Sequence, residues 1–168
     1  MLLITIAGLP AHPLLVHAVV VLIPLAALGT LAIAVWPAWR RPYGPLVAIA
    51  AVGASLFATA AKLAGDQLFA TLSATNSVGP GIDQHQVWGQ YTMFATYPFA
   101  VLVLIAAILA RRGRTPAHSA SGGPAVATGA AVTTATWLAA LAGIATTVLV
   151  VLTGDSGARA VWGFVTGG

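Results

Sequence analysis

Four long apolar stretches, nearly free of charged residues, limit the fold of this chain more than any other feature. Each is close to the ~20 residues that an α-helix needs to cross a bilayer. An apolar content of 59% with only 6% charged residues excludes an ordinary soluble domain and a disordered chain. We predict an all-α, polytopic membrane four-helix bundle in one integral-membrane domain, residues 1–168, with spans at about 14–36, 43–63, 88–110 and 127–153.

The arginines predict the orientation of the chain. Arg40 and Arg41 separate the first two spans, and Arg111, Arg112 and Arg114 separate the last two. Loops rich in Arg face the cytoplasm, so both termini, the 66–86 loop and the C-terminal tail are expected outside. The net charge of +4 therefore reflects topology and not nucleic-acid binding. We expect a multi-pass protein of the bacterial cytoplasmic (inner) membrane, with its first span retained and not cleaved as a signal.

The two halves of the chain resemble each other weakly. Each half has a histidine near the outer edge (His17, His85), then an arginine pair, then Leu-x-Gly-Asp at residues 63–66 or 152–155. This pattern favours two repeated helical hairpins, although short motifs of this kind also recur by coincidence.

Residue spacing also predicts how the helices pack. The fourth span carries a ridge of small residues, which allows helices to approach closely in lipid: Ala131, Ala135, Ala139, Gly143 and Thr147. Pro24 and Pro98 interrupt the first and third spans, and we expect a kink at each, because proline removes a backbone donor.

Most of the remaining ionisable residues fall on the predicted outer side, and only His118 joins the arginines. The outer set is His12, His17, Lys62, Asp66, Asp83, His85, Asp155 and Arg159. Lys62 and Asp66 lie four residues apart and can pair inside the bundle, or Lys62 can extend to the lipid headgroups. Asp155 and Arg159 have the same spacing and could pack against that first pair.

The histidines suggest a haem site. A b-type haem could be held by two of His12, His17 and His85, or by a histidine with Met93. His12 and His17 point roughly 140° apart on one helix, so two ligands would have to come from different helices. In the alternative interpretation these histidines only cap helices or bond to carbonyls. The absence of cysteine excludes c-type haem and thiolate metal sites, and no zinc-ligand spacing is present.

Several motifs resemble a known family. The segments GLPAHPLLVHAVVVLIPLA, LAGDQ and GDSGARAVW, with His85 before the third span, are similar to the domain of unknown function 2231 family of predicted bacterial membrane proteins. The motif positions in this chain are Gly8, Pro10, His12, Pro13, His17, Gly65, Asp66, His85, Gly154, Gly157 and Trp162. The resemblance implies four spans and relatives fused or adjacent to Rieske or c-type cytochrome modules. Many relatives end in Tyr-x-His, which this chain lacks.

The leading functional interpretation is a non-enzymatic membrane subunit or accessory protein of a respiratory or envelope complex. The alternative is a haem-b electron carrier, and a proton or solute pathway has less support because the charges lie at one face. No catalytic motif is present. Expected partners are the lipid bilayer and a membrane or redox protein, without nucleic acid, and a homo-oligomer is left open.

Overall fold

A computed structural model describes residues 4–112 and 124–166 of the chain. Two short antiparallel strands, β1 and β2, are joined by a turn in which Ala7 and Gly8 have positive φ. A single 3₁₀ turn, Pro37–Trp39, connects the first two helices. The elements are β1 Thr5–Ile6, β2 Leu9–Pro10, α1 Ala11–Val35, α2 Arg40–Ala74, α3 Ile82–Arg112 and α4 Pro124–Thr166. All four helices are long and apolar enough to cross a membrane, which confirms the predicted all-α four-helix fold.

The helices form a ring in chain order. α1 packs on α2 and α4, and α3 packs on the same two helices, so α1 and α3 face each other diagonally. Small side chains fill most of the core around Phe99, which is fully buried. A Cβ atom at Gly143 would lie 2.8 Å from Phe99 Cε2, so α4 approaches its neighbours closely there.

The small-residue ridge predicted on α4 lies partly in this core. Ala135, Ala139 and Gly143 are buried, which confirms the centre of the prediction. Ala131 is exposed and Thr147 is half-buried, so the ridge packs over a shorter length than expected.

The bundle has two distinct ends. The histidine end holds the first residues of α1 and α3, including His12 and His85, together with strands β1 and β2 and the last turns of α4. The arginine end holds the start of α2 at Arg40 and the end of α3 at Arg112. Adjacent helices run in opposite directions, so the two ends of the described chain lie at the same end of the bundle.

The helices extend further at the histidine end than the sequence predicted. The sequence predicted a loop over residues 66–86. The loop is shorter at both ends, because α2 continues to Ala74 and α3 begins at Ile82. The expected tail after the fourth span is helical to Thr166. Apolar residues on the extension of α2 line a cavity, which gives that extension a packing partner: Leu68, Phe69 and Leu72. At 1.5 Å per residue α2 is about 52 Å long, well beyond the ~30 Å hydrocarbon core of a bilayer.

Buried hydroxyl groups in the middle of the bundle bond to backbone carbonyls. Ser55 on α2 shares its proton between the Ala51 carbonyl of its own helix at 3.0 Å and the Thr96 carbonyl of α3 at 3.1 Å. Thr146 on α4 donates mainly to the Ala142 carbonyl of its own helix at 2.7 Å and lies 3.3 Å from the Ala95 carbonyl of α3. The kinks expected at Pro24 and Pro98 stay predictions.

Arg40 closes the arginine end. Its Nε donates to the Ile33 carbonyl at 3.0 Å and a terminal nitrogen donates to the Ala34 carbonyl at 3.4 Å. The other terminal nitrogen donates to Thr133 Oγ1 at 3.0 Å. A helix leaves its last carbonyls without intrahelical partners, so Arg40 satisfies the end of α1 and ties it to α4.

Candidate functional site

A cavity of about 300 Å³ lies at the histidine end, between all four helices. Its walls are mainly apolar, with contributions such as Val16, Phe69, Met93 and Val150. A few polar side chains line the same space: His12, Lys62, Asp66, His85, Gln86, Thr92 and Thr153. An apolar cavity of this size with a few polar groups is typical of a small-molecule or cofactor site.

His12, in the first turn of α1, is fixed by α2. Its Nδ1 lies 2.8 Å from the Ala61 carbonyl oxygen. Because a carbonyl only accepts, Nδ1 carries the proton in this bond and Nε2 carries the lone pair. Gly65, one turn further along α2, lies against the ring, since a Cβ there would be 2.8 Å from His12 Nδ1. Any larger side chain at position 65 would displace the imidazole.

His85, near the start of α3, is fixed by α4 in the same way. Its Nδ1 lies 3.0 Å from the Thr153 carbonyl oxygen, and a Cβ at Gly157 would be 2.9 Å from its Cε1. Ser156 Oγ is 3.4 Å from the same Nδ1, but this hydroxyl donates to the Thr153 carbonyl at 2.9 Å. Since Nδ1 is itself a donor here, His85 is not placed to act as a base toward Ser156.

The two imidazoles meet across the bundle. The ring centroids of His12 and His85 are 6.1 Å apart and their planes are at 81°. Both rings are half-buried. Within residues 4–112 and 124–166, no hydrogen bond involves Nε2 of either ring. The sequence predicted that these histidines lie at similar depth and converge if α1 and α3 are neighbours, whereas the rings meet across two helices that face each other diagonally.

The two histidines occupy equivalent half-sites. In each, an imidazole at the start of one helix bonds to a carbonyl on the next helix and packs on a glycine four residues beyond that carbonyl. This equivalence supports the predicted repeat of two hairpins, but the residues that correspond in the two halves differ from those that the sequence motif matched. The Leu-x-Gly-Asp match aligned Gly65 with Gly154, whereas the contacts align Gly65 with Gly157. A Cβ at Gly154 would meet nothing within 4 Å.

The other ligand candidates lie elsewhere. His17 is exposed, bonds to the Pro13 carbonyl of its own helix at 2.6 Å and does not line the cavity. Met93 lines the cavity, about two helical turns beyond His85 along α3. His118 lies outside the described residues. Only His12 and His85 of the proposed ligand set come together.

The two ion pairs differ in exposure. Lys62 Nζ lies 2.5 and 2.6 Å from the two carboxylate oxygens of Asp66, and both residues line the cavity. Of the two alternatives for Lys62, the structure therefore has the ion pair. Arg159 Nε lies 2.8 Å from Asp155 Oδ2, but these side chains are 78% and 55% exposed, so this pair does not pack against the first one as the sequence allowed.

The donor set is limited. No group of three or more His, Asp, Glu or Cys side chains in the described parts of the chain could hold a metal ion. Two imidazoles alone are too few for a structural zinc site, which requires four protein ligands.

Four helices long and apolar enough to span a membrane, with a mainly apolar cavity at one end, define a polytopic integral membrane protein. The chain belongs to the DUF2231 family of predicted membrane proteins, whose sequence model matches residues 8–167. This match confirms the family resemblance drawn from the motifs. No curated protein and no solved structure matches the chain. Family membership thus supports the membrane location and brings no activity with it.

Proposed function

We propose that the chain is a non-enzymatic subunit of a respiratory or other envelope redox assembly, and that His12 and His85 are the axial ligands of a haem b. The observation that carries this proposal is the meeting of the two imidazoles at 6.1 Å between ring centroids. The sequence favoured an accessory subunit without a cofactor. The convergence of two histidines from opposite hairpins favours the haem alternative.

The separation of the rings fits one metal ion between them. Metal–imidazole bonds are about 2 Å long, so two ligating nitrogens on opposite sides of one ion are about 4 Å apart. Ring centroids lie further apart than the nitrogens when both nitrogens face the ion, which is consistent with 6.1 Å.

The hydrogen bonds of the rings also fit ligation. Metal-bound histidines commonly donate their second ring N–H to a carbonyl, which fixes the tautomer and raises the basicity of the ligating nitrogen. Ala61 and Thr153 supply such carbonyls at 2.8 and 3.0 Å. The porphyrin would provide the four equatorial nitrogens, so two protein ligands suffice.

The rest of the cavity suits a largely apolar group with anionic substituents. Valine, leucine and phenylalanine side chains would pack on the macrocycle. Lys62, the residue after Ala61, lines the cavity and would supply a positive charge for the anionic substituents. When bound, haem b supplies one-electron transfer. The residues of this chain would hold it, orient it and limit access of water to it.

The absorption spectrum of the purified protein tests the proposal. Protein from a bacterial host supplied with a haem precursor should show a Soret band and, after dithionite reduction, a sharp α band. Electron paramagnetic resonance of the oxidised form should report a low-spin iron with two nitrogen axial ligands. A preparation that is folded and monodisperse but without a Soret band, before and after addition of haemin, would exclude the cofactor.

We further propose that the histidine end and both termini face outward from the bacterial cytoplasmic membrane, since the arginines gather at the other end. The chain has no cysteine, so single cysteines can report its topology. A cysteine at Ser77, in the 75–81 connection between α2 and α3, should react with an impermeant thiol reagent in intact cells. A cysteine at Ser121, outside the described residues, should react only after lysis. The reverse pattern would invert the orientation.

A further inference from the structure

Charge is unevenly divided between the two ends of the bundle. All three acidic residues of the chain, Asp66, Asp83 and Asp155, belong to the histidine end. The arginine end has Arg40 and Arg41 at the start of α2 and Arg111 and Arg112 at the end of α3. The positive charge of the arginine end is therefore not matched by a carboxylate side chain at the same end, which makes this end attractive to anions.

The two helices that carry these arginines, α2 and α3, approach each other closely at the arginine end. A Cβ atom at Gly44 of α2 would lie 3.8 Å from the Cβ of Ala107 on α3. Arg41 comes one turn before Gly44, and its Nε donates to the Ala110 carbonyl at 3.4 Å. Arg41 therefore lies beside the last turn of α3, where Arg111 and Arg112 are both exposed.

Arg40 differs from this group because its guanidinium is directed into the protein. It bonds to the carbonyls of Ile33 and Ala34 and to Thr133, as described above. We define Arg41, Arg111 and Arg112 as the arginine triad. The triad consists of arginines from both helices of the α2–α3 contact, all at the same end of the bundle.

The surface around the triad has the composition of a lipid contact. Leu46 and Ile49 on α2 are 64% and 70% exposed, and Ile108 on α3 is also exposed. Trp39 and Tyr43 meet edge to face at the start of α2, with ring centroids 5.5 Å apart, and both are exposed. Aromatic side chains at the level of the headgroups and apolar side chains below them are typical of a membrane interface.

We infer that the arginine triad binds the phosphate groups of an anionic phospholipid, whose acyl chains lie on the exposed apolar residues of α2 and α3. Guanidinium groups bind phosphate oxygens through paired, charge-assisted hydrogen bonds. Basic groups between helices at the membrane surface are a recurrent way to hold such headgroups. This site goes beyond the proposed haem function and does not depend on it.

Native mass spectrometry of the detergent-purified full chain tests the inference. The protein is titrated with phosphatidylglycerol, cardiolipin or phosphatidylcholine, and the fraction of lipid-bound protein is measured. Wild-type protein should bind both anionic lipids at least tenfold more tightly than phosphatidylcholine. Replacing the triad by glutamine (R41Q, R111Q and R112Q together) should remove this preference.

The control substitutes an arginine at the opposite end. Arg159→Gln removes one exposed guanidinium without touching the triad and should bind anionic lipid like the wild type. A variant with all three triad arginines replaced by lysine changes the same positions but keeps their charge. It should retain at least part of the preference for anionic lipids, which separates loss of charge from misfolding caused by substitution at these positions. Equal binding of all three lipids, or an unchanged preference in the glutamine variant, would overturn the inference. So would displacement of the lipid by millimolar inorganic phosphate, which would indicate a site for free phosphate.

Discussion

The two ends of the bundle use their polar side chains differently. At the arginine end, Arg40 directs its guanidinium nitrogens to two carbonyls and a hydroxyl of the protein. At the histidine end, His12 and His85 each donate one ring nitrogen to a carbonyl, and no hydrogen bond within the described residues uses the other. Both ends thus satisfy helix carbonyls, and the histidine end also places two imidazole nitrogens beside a cavity.

This difference separates side chains that hold the bundle together from side chains that prepare a site. Within the described residues no buried side-chain nitrogen or oxygen lacks a hydrogen-bond partner, so Nε2 of His12 and of His85 keeps some accessible surface, where a ligand can reach it. The contacts of Arg40 satisfy carbonyls and a hydroxyl within the protein, so they are structural. The histidine end depends on two imidazoles in one geometry.

The largest effect is expected from removal of either imidazole. His12→Ala and His85→Ala should each abolish haem binding, because one axial ligand in an open cavity does not hold a b-type haem as two do. His17→Ala is the matched control, since His17 lies on the same helix as His12 but outside the cavity, and it should keep the full Soret absorbance. The measurement is the ratio of Soret to protein absorbance after purification.

Met93→Leu completes this test. Met93 lines the cavity but lies about two turns from His85, so its replacement should leave the α band in place. Loss of haem in Met93→Leu with retention in His12→Ala would replace the bis-histidine assignment with a histidine–methionine one.

The next largest effect is expected at the glycines that support the rings. Gly65→Ala and Gly157→Ala introduce a methyl group 2.8–2.9 Å from ring atoms of His12 and His85. Each should lower the free energy of unfolding by about 1–3 kcal/mol, as overpacking does, and reduce haem occupancy. Gly154→Ala serves as control on the same helix as Gly157, because its methyl group would meet nothing within 4 Å.

Thermal unfolding in detergent measures these differences, and the Soret absorbance measures occupancy. Gly154→Ala should be as stable as the wild type or more so, since alanine favours helix over glycine. Equal behaviour of the three variants would mean that the rings do not depend on close contact with glycine.

A smaller effect is expected from the ion pair on the cavity wall. Lys62→Met should destabilise the protein, and the double variant Lys62→Met/Asp66→Leu should recover part of the loss. Since the Lys62 and Asp66 side chains are 19% and 47% exposed, we expect a coupling of about 1 kcal/mol or less. Additive single and double variants in thermal unfolding would show that the pair is energetically unimportant.

The smallest effect is expected for the exposed pair at the same end. Asp155→Asn removes a partner of Arg159, which bonds to it at 2.8 Å on the solvent side. Solvent and salt screen such a pair, so the melting temperature should not change measurably at 0.15 M salt. A shift as large as that of Lys62→Met would indicate that Asp155 and Arg159 contact a partner.

The sequence predicted the four helices because uninterrupted apolar stretches of membrane length allow little else. It predicted Gly143 as an interface residue because small residues at intervals of four form one ridge. It failed beyond Asp66 and after residue 153, where polar residues suggested loops. There the helices continue, since residues such as Phe69 line a cavity with partners from other helices.

The site was predicted only in part. His12, His85 and Met93 were among the candidates, but so was His17, and spacing alone could not decide which side of α1 faces the bundle. Gly65 and Gly157 were known only as motif positions. A pairing of His12 with His85 requires the diagonal arrangement of α1 and α3, which depends on tertiary packing and not on local pattern.

The division of the site between two hairpins has a consequence for biosynthesis. Ala61 and Gly65 belong to the first hairpin, whereas Thr153 and Gly157 are translated only with α4. A nascent chain that has inserted α1 and α2 therefore presents one imidazole and cannot retain a ligand that needs both. The proposed haem, held by both imidazoles, would therefore be retained only after the second hairpin has docked against the first.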